Sequence, residues 1–294
     1  MTPVLRALVV GASGFVGSYL RAALARRGHE VWGTYHANPA PGLVPLDISD
    51  GRAVGALVAR LGPEVVFIPA AVPNVDWCET HPVESFRVNV AGLANLLRAG
   101  RVCRARPVFF STEYVFDGTA GPYSETDRPA PLSVYGRQKL AGERMVLAGP
   151  PGGLVLRTTV VYGWEARPRN FGQRLLSELR EGRRVRVPED QISSPTYVVD
   201  LAEAACRLAE RGSSGLYHVA GCQRASRLEF ARALAETFGL DGSLLVPVST
   251  AELGQRAARP LKAGLRVDKV GCELGWVPAG FRDGLARMRE ERAS

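Results

Sequence analysis

VVGASGFVGSYL, residues 9–20, joins the end of an apolar run to the start of a helical one through three glycines. Gly11, Gly14 and Gly17 fall in G-x-x-G-x-x-G spacing directly after the run VLRALVVGA. In that position the first glycine allows a tight turn, the second lets a diphosphate approach the backbone, and the third lets helix and strand pack closely. The helix N-terminus that follows presents unpaired N–H groups to an anion. The spacing alone is common in a chain with 32 glycines, so its weight comes from what surrounds it.

Outward from that junction, apolar segments alternate with helical patterns. HEVWGTY, PEVVFIPAA, RPVFFST and GGLVLRTTVVYG read as strands, whereas FVGSYLRAALARRG, GRAVGALVARLG, HPVESFRVNVAGLANLLRAGRV and SVYGRQKLAGERMVLAG carry helical spacing. Strands that are apolar throughout and separated by helices imply a parallel sheet covered on both faces, a doubly wound α/β fold of the Rossmann type. The second half is less regular. NFGQRLLSELREG, YVVDLAEAACRLAERG and SRLEFARALAETFGL are expected as helices, RRVRVPEDQISSPT as a loop-rich segment, and DGLARMREERAS as a fraying terminal helix. We expect residues 1–160 to form a dinucleotide-binding domain carrying the catalytic groups. Residues 161–294 are expected as a smaller, irregular substrate-binding part, interleaved with the first because about 192–220 returns to it.

Composition narrows the class. The 294 residues are 46% hydrophobic, ample for a packed core, and no stretch reaches the roughly 18–20 apolar residues of a membrane span. The start, MTPVLRALVVGASG, lacks a signal-type apolar region and cleavage site. Cys78, Cys103, Cys206, Cys222 and Cys272 are odd in number and without a C-x-x-C, which argues against a disulfide framework or a zinc knuckle. His29, His36, His81 and His218 show no metal spacing, so no metal is expected. A cytoplasmic protein with no membrane partner follows. The net charge of +8 is spread along the chain with no aromatic platform, which speaks against nucleic acid and suits an anionic small molecule.

One local pattern carries chemistry. Tyr135 and Lys139 stand four apart on one helical face, and Lys139 is one of only three lysines, with Lys262 and Lys269, in a chain otherwise written with arginine. A lysine is a compact point charge with rotatable donors, suited to a ribose hydroxyl. A neighbouring ammonium is also expected to draw a tyrosine pKa, ordinarily about 10, toward working pH. Ser111 and Thr112 end the preceding strand at the carboxyl edge, where ligands bind in such sheets. The second strand ends at Tyr35 and His36 without a carboxylate, which removes repulsion against a 2′-phosphate and favours NADP(H), with His36 as a partner and NADH as the alternative. Asp117, Glu125 and Asp127 belong to turn chemistry, and Cys78 to packing.

GASGFVG, STEYVFDG, PYSETDRPAPLSVYGRQKLAGE, VLRTTVVYG, DQISSPTYVVDLA and RPLKAGLRVDKVGCELGW together resemble the extended short-chain dehydrogenase/reductases, in particular the dTDP-4-dehydrorhamnose reductase family. The resemblance implies Thr112, Tyr135 and Lys139 as catalytic residues and a nucleotide-sugar as substrate. It implies NADPH contacts at Gly11, Ser13, Gly14, Phe15, Val16, Gly17, Tyr35 and His36. Further along, it adds Asp47, Ile48, Ala70, Ala71, Val72, Ser111, Tyr135, Lys139, Thr158 and Val160 to that set. Val72, Thr112, Tyr114, Val115, Asn170, Gln191 and Pro195 are implied as substrate contacts. The helix after the glycine loop has no acid, unlike family members that pair through magnesium, although a homodimer remains compatible with the sequence. The methionine adenosyltransferase beta subunit, a regulator, is similar around YVFDGTAGPYSETDRPAPL, so both a reductase or epimerase of a nucleotide-sugar and a non-catalytic subunit stay open.

Overall fold

In this computed structural model, residues 4–149 and 151–291 are described. The chain runs β1 (Arg6–Val9), α1 (Phe15–Arg26), β2 (Glu30–Tyr35), β3 (Leu43–Pro45), α2 (Gly51–Leu61) and β4 (Val65–Ile68). It continues with α3 (Val75–Thr80), α4 (Pro82–Phe86), a π-helical turn at Arg87–Gly92, α5 (Leu93–Cys103), β5 (Arg106–Thr112), α6 (Val134–Leu147) and β6 (Leu154–Thr158). The second half supplies β7 (Val161–Tyr162), α7 (Phe171–Arg180), β8 (Val185–Pro188), β9 (Ile192–Ser193), β10 (Thr196–Tyr197) and α8 (Val198–Glu210). Last come β11 (Gly215–His218), β12 (Ala225–Ser226), α9 (Arg227–Thr237), β13 (Leu245–Val248), α10 (Asp268–Leu274) and α11 (Phe281–Glu290).

Seven strands form one parallel sheet in the order β11-β6-β5-β4-β1-β2-β3. Its strands are Val-, Leu- and Phe-rich because both faces are covered. Leu20 and Leu24 of α1 and Leu201, Ala205 and Leu208 of α8 pack on one side. Val54 and Leu57 of α2 and Leu93 and Leu96 of α5 pack on the other. A third apolar cluster joins α7, α9 and α11 in the second half. Helix ends carry their own signals: Asp50 caps α2 by accepting from Arg52 and Ala53 N–H groups, and Ser226 and Glu229 form a capping box on α9. Among the described residues no helix is long and apolar enough to cross a membrane.

Three local expectations change. The long helix over 81–102 is interrupted by the π-helical turn, which faces Asn89 inward so that its amide joins other segments. The strand expected through 152–163 breaks after Thr158, because Val160 takes φ +42, a conformation that a β-branched residue adopts only under strain. The segment 183–196, expected as loop, contributes β8, β9 and β10, whose pairings come from distant chain. Helix α11 ends at Glu290, and the last residues of the tail, 292–294, lie outside the described ones.

A strap at 260–266 fastens the second half across the first. Lys262 N–H donates to Gly118 O at 2.7 Å, Tyr123 N–H to Gly264 O at 2.9 Å, and Ala263 N–H to Ile192 O at 3.0 Å. Glu113, 3% exposed, takes Gly264 N–H at 3.0 Å on one oxygen and the Thr159 hydroxyl on the other. Burial pushes its carboxyl up to about 7, against the Thr159 bond and the nearby Arg227. A folded-state value above the unfolded one means that its contribution to stability is complete below about 4.5 and is lost as pH rises through about 7.

Two measurements check this architecture. Urea unfolding between pH 5 and 8 should show wild type losing about 3 kcal/mol more than Glu113→Gln, the linkage of a two- to three-unit shift; parallel curves would exclude a proton on Glu113. Gly17→Ala should cost about 2 kcal/mol or more, since a Cβ there would stand 2.2 Å from Gly11 O. Gly55→Ala, with nothing within 4 Å, should instead stabilise α2 by roughly 0.5–1 kcal/mol.

Candidate active site

The carboxyl ends of β1, β4, β5 and β6 meet at one edge of the sheet, and the glycine turn forms its floor. Gly11 has φ +86, and a Cβ there would touch the Ala70 Cβ at 3.0 Å, so the turn after β1 and the chain after β4 approach as closely as glycine permits. Gly14 N–H donates to Gly11 O, and Gly14 starts α1 with no side-chain cap, leaving the amides of the first turn for an anion. Ser13, Phe15 and Val16 sit on this turn, half-buried. Ala70 N–H bonds Val10 O at 3.2 Å, Ala71 follows, and Val72 N–H bonds the Asn89 amide oxygen at 2.8 Å.

At the far end of the groove, Tyr35 and His36 leave β2 beside Asp47. The His36 ring nitrogen lies 4.0 Å from the Asp47 carboxylate, which hydrogen bonds from Ser49 hold below the usual carboxylate range. Ile48 is buried beneath. Thr158 Oγ1, at the end of β6, is buried with no hydrogen-bond partner among the described residues. A glycine floor, helix amides and an unmet hydroxyl along one carboxyl edge of the sheet fit a dinucleotide: Gly11, Gly14 and Gly17 would seat the diphosphate, and Thr158 a polar group of the ring.

The hydroxyls and the lysine gather on this edge. Thr112 and Thr158 are side by side in the sheet register, and Thr112 accepts from Tyr114 N–H at 3.2 Å. Helix α6, started by Ser133 accepting from Gly136 N–H, carries Tyr135 up beside Thr112, whose hydroxyl opposes the burial of the Tyr135 phenol. Gly136 is required here, because a Cβ would lie 2.2 Å from Tyr114 O. The Tyr114 ring stands edge-on to Tyr135 at 6.1 Å.

The expected softening of Tyr135 by Lys139 is not what this arrangement gives. Loss of water pushes the Tyr135 hydroxyl above its ordinary pKa, Cys78 and Tyr114 add to that, and Thr112 opposes it. The Lys139 ammonium sits over the Phe109 ring at 4.0 Å, and burial draws it down to about 7 against the pull of Glu143. Tyr135 therefore rests as a proton-bearing acid. Ser111, expected on the cofactor, donates instead to Glu143 at 2.5 Å. Cys78 is buried, bonded to Val72 O at 3.5 Å, and raised in pKa by burial, all suited to packing.

Of the residues expected on the substrate, Tyr114 lies against the Arg259 guanidinium at 5.9 Å, and Val115 is fully buried. Val160 O accepts from Thr196 N–H, next to Pro195. Asn170 caps α7 and bonds Gly163 O, and Gln191 bonds Thr250 and Gln255, so both amides shape the second half from within. Two residues went unseen in the sequence. Asn89 links Val72 to Gln138 on α6 at 2.8 Å, and its only signal was an amide on an otherwise apolar helical face. Arg167, 129 residues from Asn38, hydrogen-bonds that side chain just beyond His36, a proximity no local pattern records.

Residues 5–294 match the family described as the RmlD substrate binding domain. The "Probable low-salt glycan biosynthesis reductase Agl14" of Haloferax volcanii is 35% identical over 292 residues, 96% of each chain. The dTDP-4-dehydrorhamnose reductase of Mycobacterium tuberculosis is 39% identical over 261 residues, 86% of this chain and 82% of that protein. Methionine adenosyltransferase 2 subunit beta of Danio rerio is also similar, 30% identical over 99% of this chain and 93% of its own. A dTDP-4-dehydrorhamnose reductase from Bacillus anthracis, solved in complex with NADP, superposes with a TM-score of 0.90 at 29% identity, over 98% of this chain and all of that one. A match that runs nearly end to end, on a parallel sheet with a glycine floor, means that the chain belongs to the RmlD substrate binding domain family.

Proposed function

We propose that this chain, by family an NAD(P)H-dependent oxidoreductase, reduces the 4-keto group of a nucleotide-sugar, with dTDP-4-dehydro-L-rhamnose giving dTDP-L-rhamnose as the first substrate to try. The observation that carries the reading is the placement of Thr112, at the end of β5, beside Tyr135 and Lys139 of α6 at the carboxyl edge that the glycine floor opens onto. NADPH, when bound, would supply a hydride to C4. Thr112 orients the carbonyl oxygen, and Tyr135 gives that oxygen its proton as the negative charge develops, so C=O becomes CH–OH. A reduction needs its acid protonated beforehand, and the raised pKa of Tyr135 keeps it so. Lys139 is read as binding the nicotinamide ribose. Residues 1–160 would hold the cofactor and 161–294 most of the sugar. A small-molecule substrate in the cytoplasm, handled by a homodimer, completes the reading; free cysteines and the exposed Val83 and Phe86 on α4 support it.

NADPH oxidation with dTDP-4-dehydro-L-rhamnose, generated in situ from dTDP-glucose, tests the proposal. Wild type should turn over and Tyr135→Phe should fall by about 100-fold or more, the usual yield of a positioned acid. A wild type that binds NADPH yet oxidises none with this or other 4-keto nucleotide-sugars would favour the regulatory reading, which the likeness to the methionine adenosyltransferase beta subunit supports. The cofactor preference has its own check. Arg167 offers a guanidinium beside the 2′-phosphate end of the groove. Arg167→Ala should weaken NADPH binding by about tenfold and leave NADH unchanged; equal losses would remove Arg167 from phosphate recognition.

A further inference from the structure

A second buried charge cluster begins one helical turn beyond Lys139, among groups the reduction itself does not use. Glu143 Oε1 accepts from Ser111 Oγ at 2.5 Å and from Arg157 Nε at 2.8 Å, while Oε2 accepts from Arg157 Nη2 at 2.7 Å. The Arg157 and Glu143 side chains are 3% and 2% exposed. Arg157 is itself pinned, lying over the Phe116 ring at 4.9 Å with Nη1 3.4 Å from the His218 ring. Both carboxylate oxygens are thus committed to neighbouring partners on β5 and β6, the strands on which α6 packs. A buried ion pair of this kind is weak evidence for stability, because desolvation consumes most of its Coulomb gain, so its presence asks for another reason.

Lys139 supplies that reason. Its ammonium is buried, with an aromatic face on one side and no hydrogen-bonded counter-ion among the described residues. An ammonium in such a place loses its proton unless a negative charge stands near. We propose that Arg157 and Ser111 hold the Glu143 carboxylate as a fixed counter-charge for Lys139, near enough to favour the ammonium yet unable to swing over and occupy its donors. Glu143 is then a positioning residue, and the proposal rests on the reading of Lys139 as the ribose-binding cation. The other ionisable groups packed around this region are Tyr135 on the same helix, Cys78 on α3, Glu113 after β5, Arg157 on β6 and His218 on β11. Burial and Arg157 hold His218 down at about 3, Cys78 and Tyr135 stay neutral, and Glu113 is tied to Thr159 and Gly264. Glu143 is the group acting to keep Lys139 charged, and the balance for Lys139 lies at about 7.

The sign of each change follows. Glu143→Gln keeps the shape and removes the charge, so Lys139 gives up its proton at lower pH. Arg157→Met leaves the carboxylate free to pair with Lys139, so the proton is held to higher pH while the donors are consumed. The experiment is NADPH binding, read by its fluorescence from pH 6 to 9 with no sugar present, on wild type, both single variants and the Glu143→Gln/Arg157→Met double variant. The double variant leaves neither the carboxylate nor the guanidinium buried without its partner, and keeps the test open if a single variant fails to fold. Expected are an alkaline limb of binding moved down by about one unit or more in Glu143→Gln and in the double variant, a tenfold loss at pH 8, and a limb moved up in Arg157→Met. A limb that coincides with wild type in folded Glu143→Gln or in the double variant overturns the counter-charge role. Failure of wild type to bind NADPH at any pH would overturn the reductase reading beneath it, a result that the binding curve separates from the first.

Discussion

The hydrogen bond from the Thr159 hydroxyl to the buried Glu113 carboxyl is the constraint on which the working edge depends. Glu113 follows Thr112 directly, Thr159 follows the end of β6, and the other Glu113 oxygen takes the strap at Gly264. Three chain segments far apart in sequence are thereby referred to one carboxyl group. The same bond holds the chain just before Val160, whose positive φ costs on the order of 1–3 kcal/mol and persists only where neighbours over-determine it. Thr196 supplies the second hold by donating to Val160 O. The strain turns the chain away from the sheet between the end of β6 and the start of β7.

Around that edge the chain keeps charge scarce and directed. Its surface is rich in arginine, yet the one lysine at the edge is buried against a ring, and its carboxylate neighbour is clamped elsewhere. Tyr135 is left protonated and Lys139 near its balance point. Water exclusion sets both, and the specific partners adjust them.

The parallel α/β architecture was legible because it is written locally: VLRALVVGA, PEVVFIPAA and RPVFFST are apolar along their length, and the glycines after β1 have few other uses. Thr112, Tyr135 and Lys139 were legible for a related reason, since a strand end and one helix face place them. The π-helical turn was hidden, because HPVESFRVNVAGLANLLRAGRV has the periodicity of one helix and only the tertiary bonds of Asn89 reveal the extra residue. The break at Val160 was hidden because TTVVY is all strand-forming, and the chain is held there by contacts from Glu113 and Thr196. Strands β8, β9 and β10 are two to four residues long and exist only through partners elsewhere in the chain. Ser111 was read toward the cofactor for want of the one fact that mattered, the carboxylate of Glu143 behind it.

The seventh strand has a consequence for how the molecule is made. Strand β11 pairs with β6, and helix α8 lies against α1, so the outer edge of the sheet and one apolar face wait for residues 198–218. While the ribosome is still adding the intervening chain, the nascent sheet ends in an open parallel edge, with Leu20 and Leu24 uncovered beside it. Synthesis at about 5–20 residues per second leaves that surface bare for several seconds. A fragment stopped after β6 would carry it permanently, and for such a fragment aggregation is the expected fate.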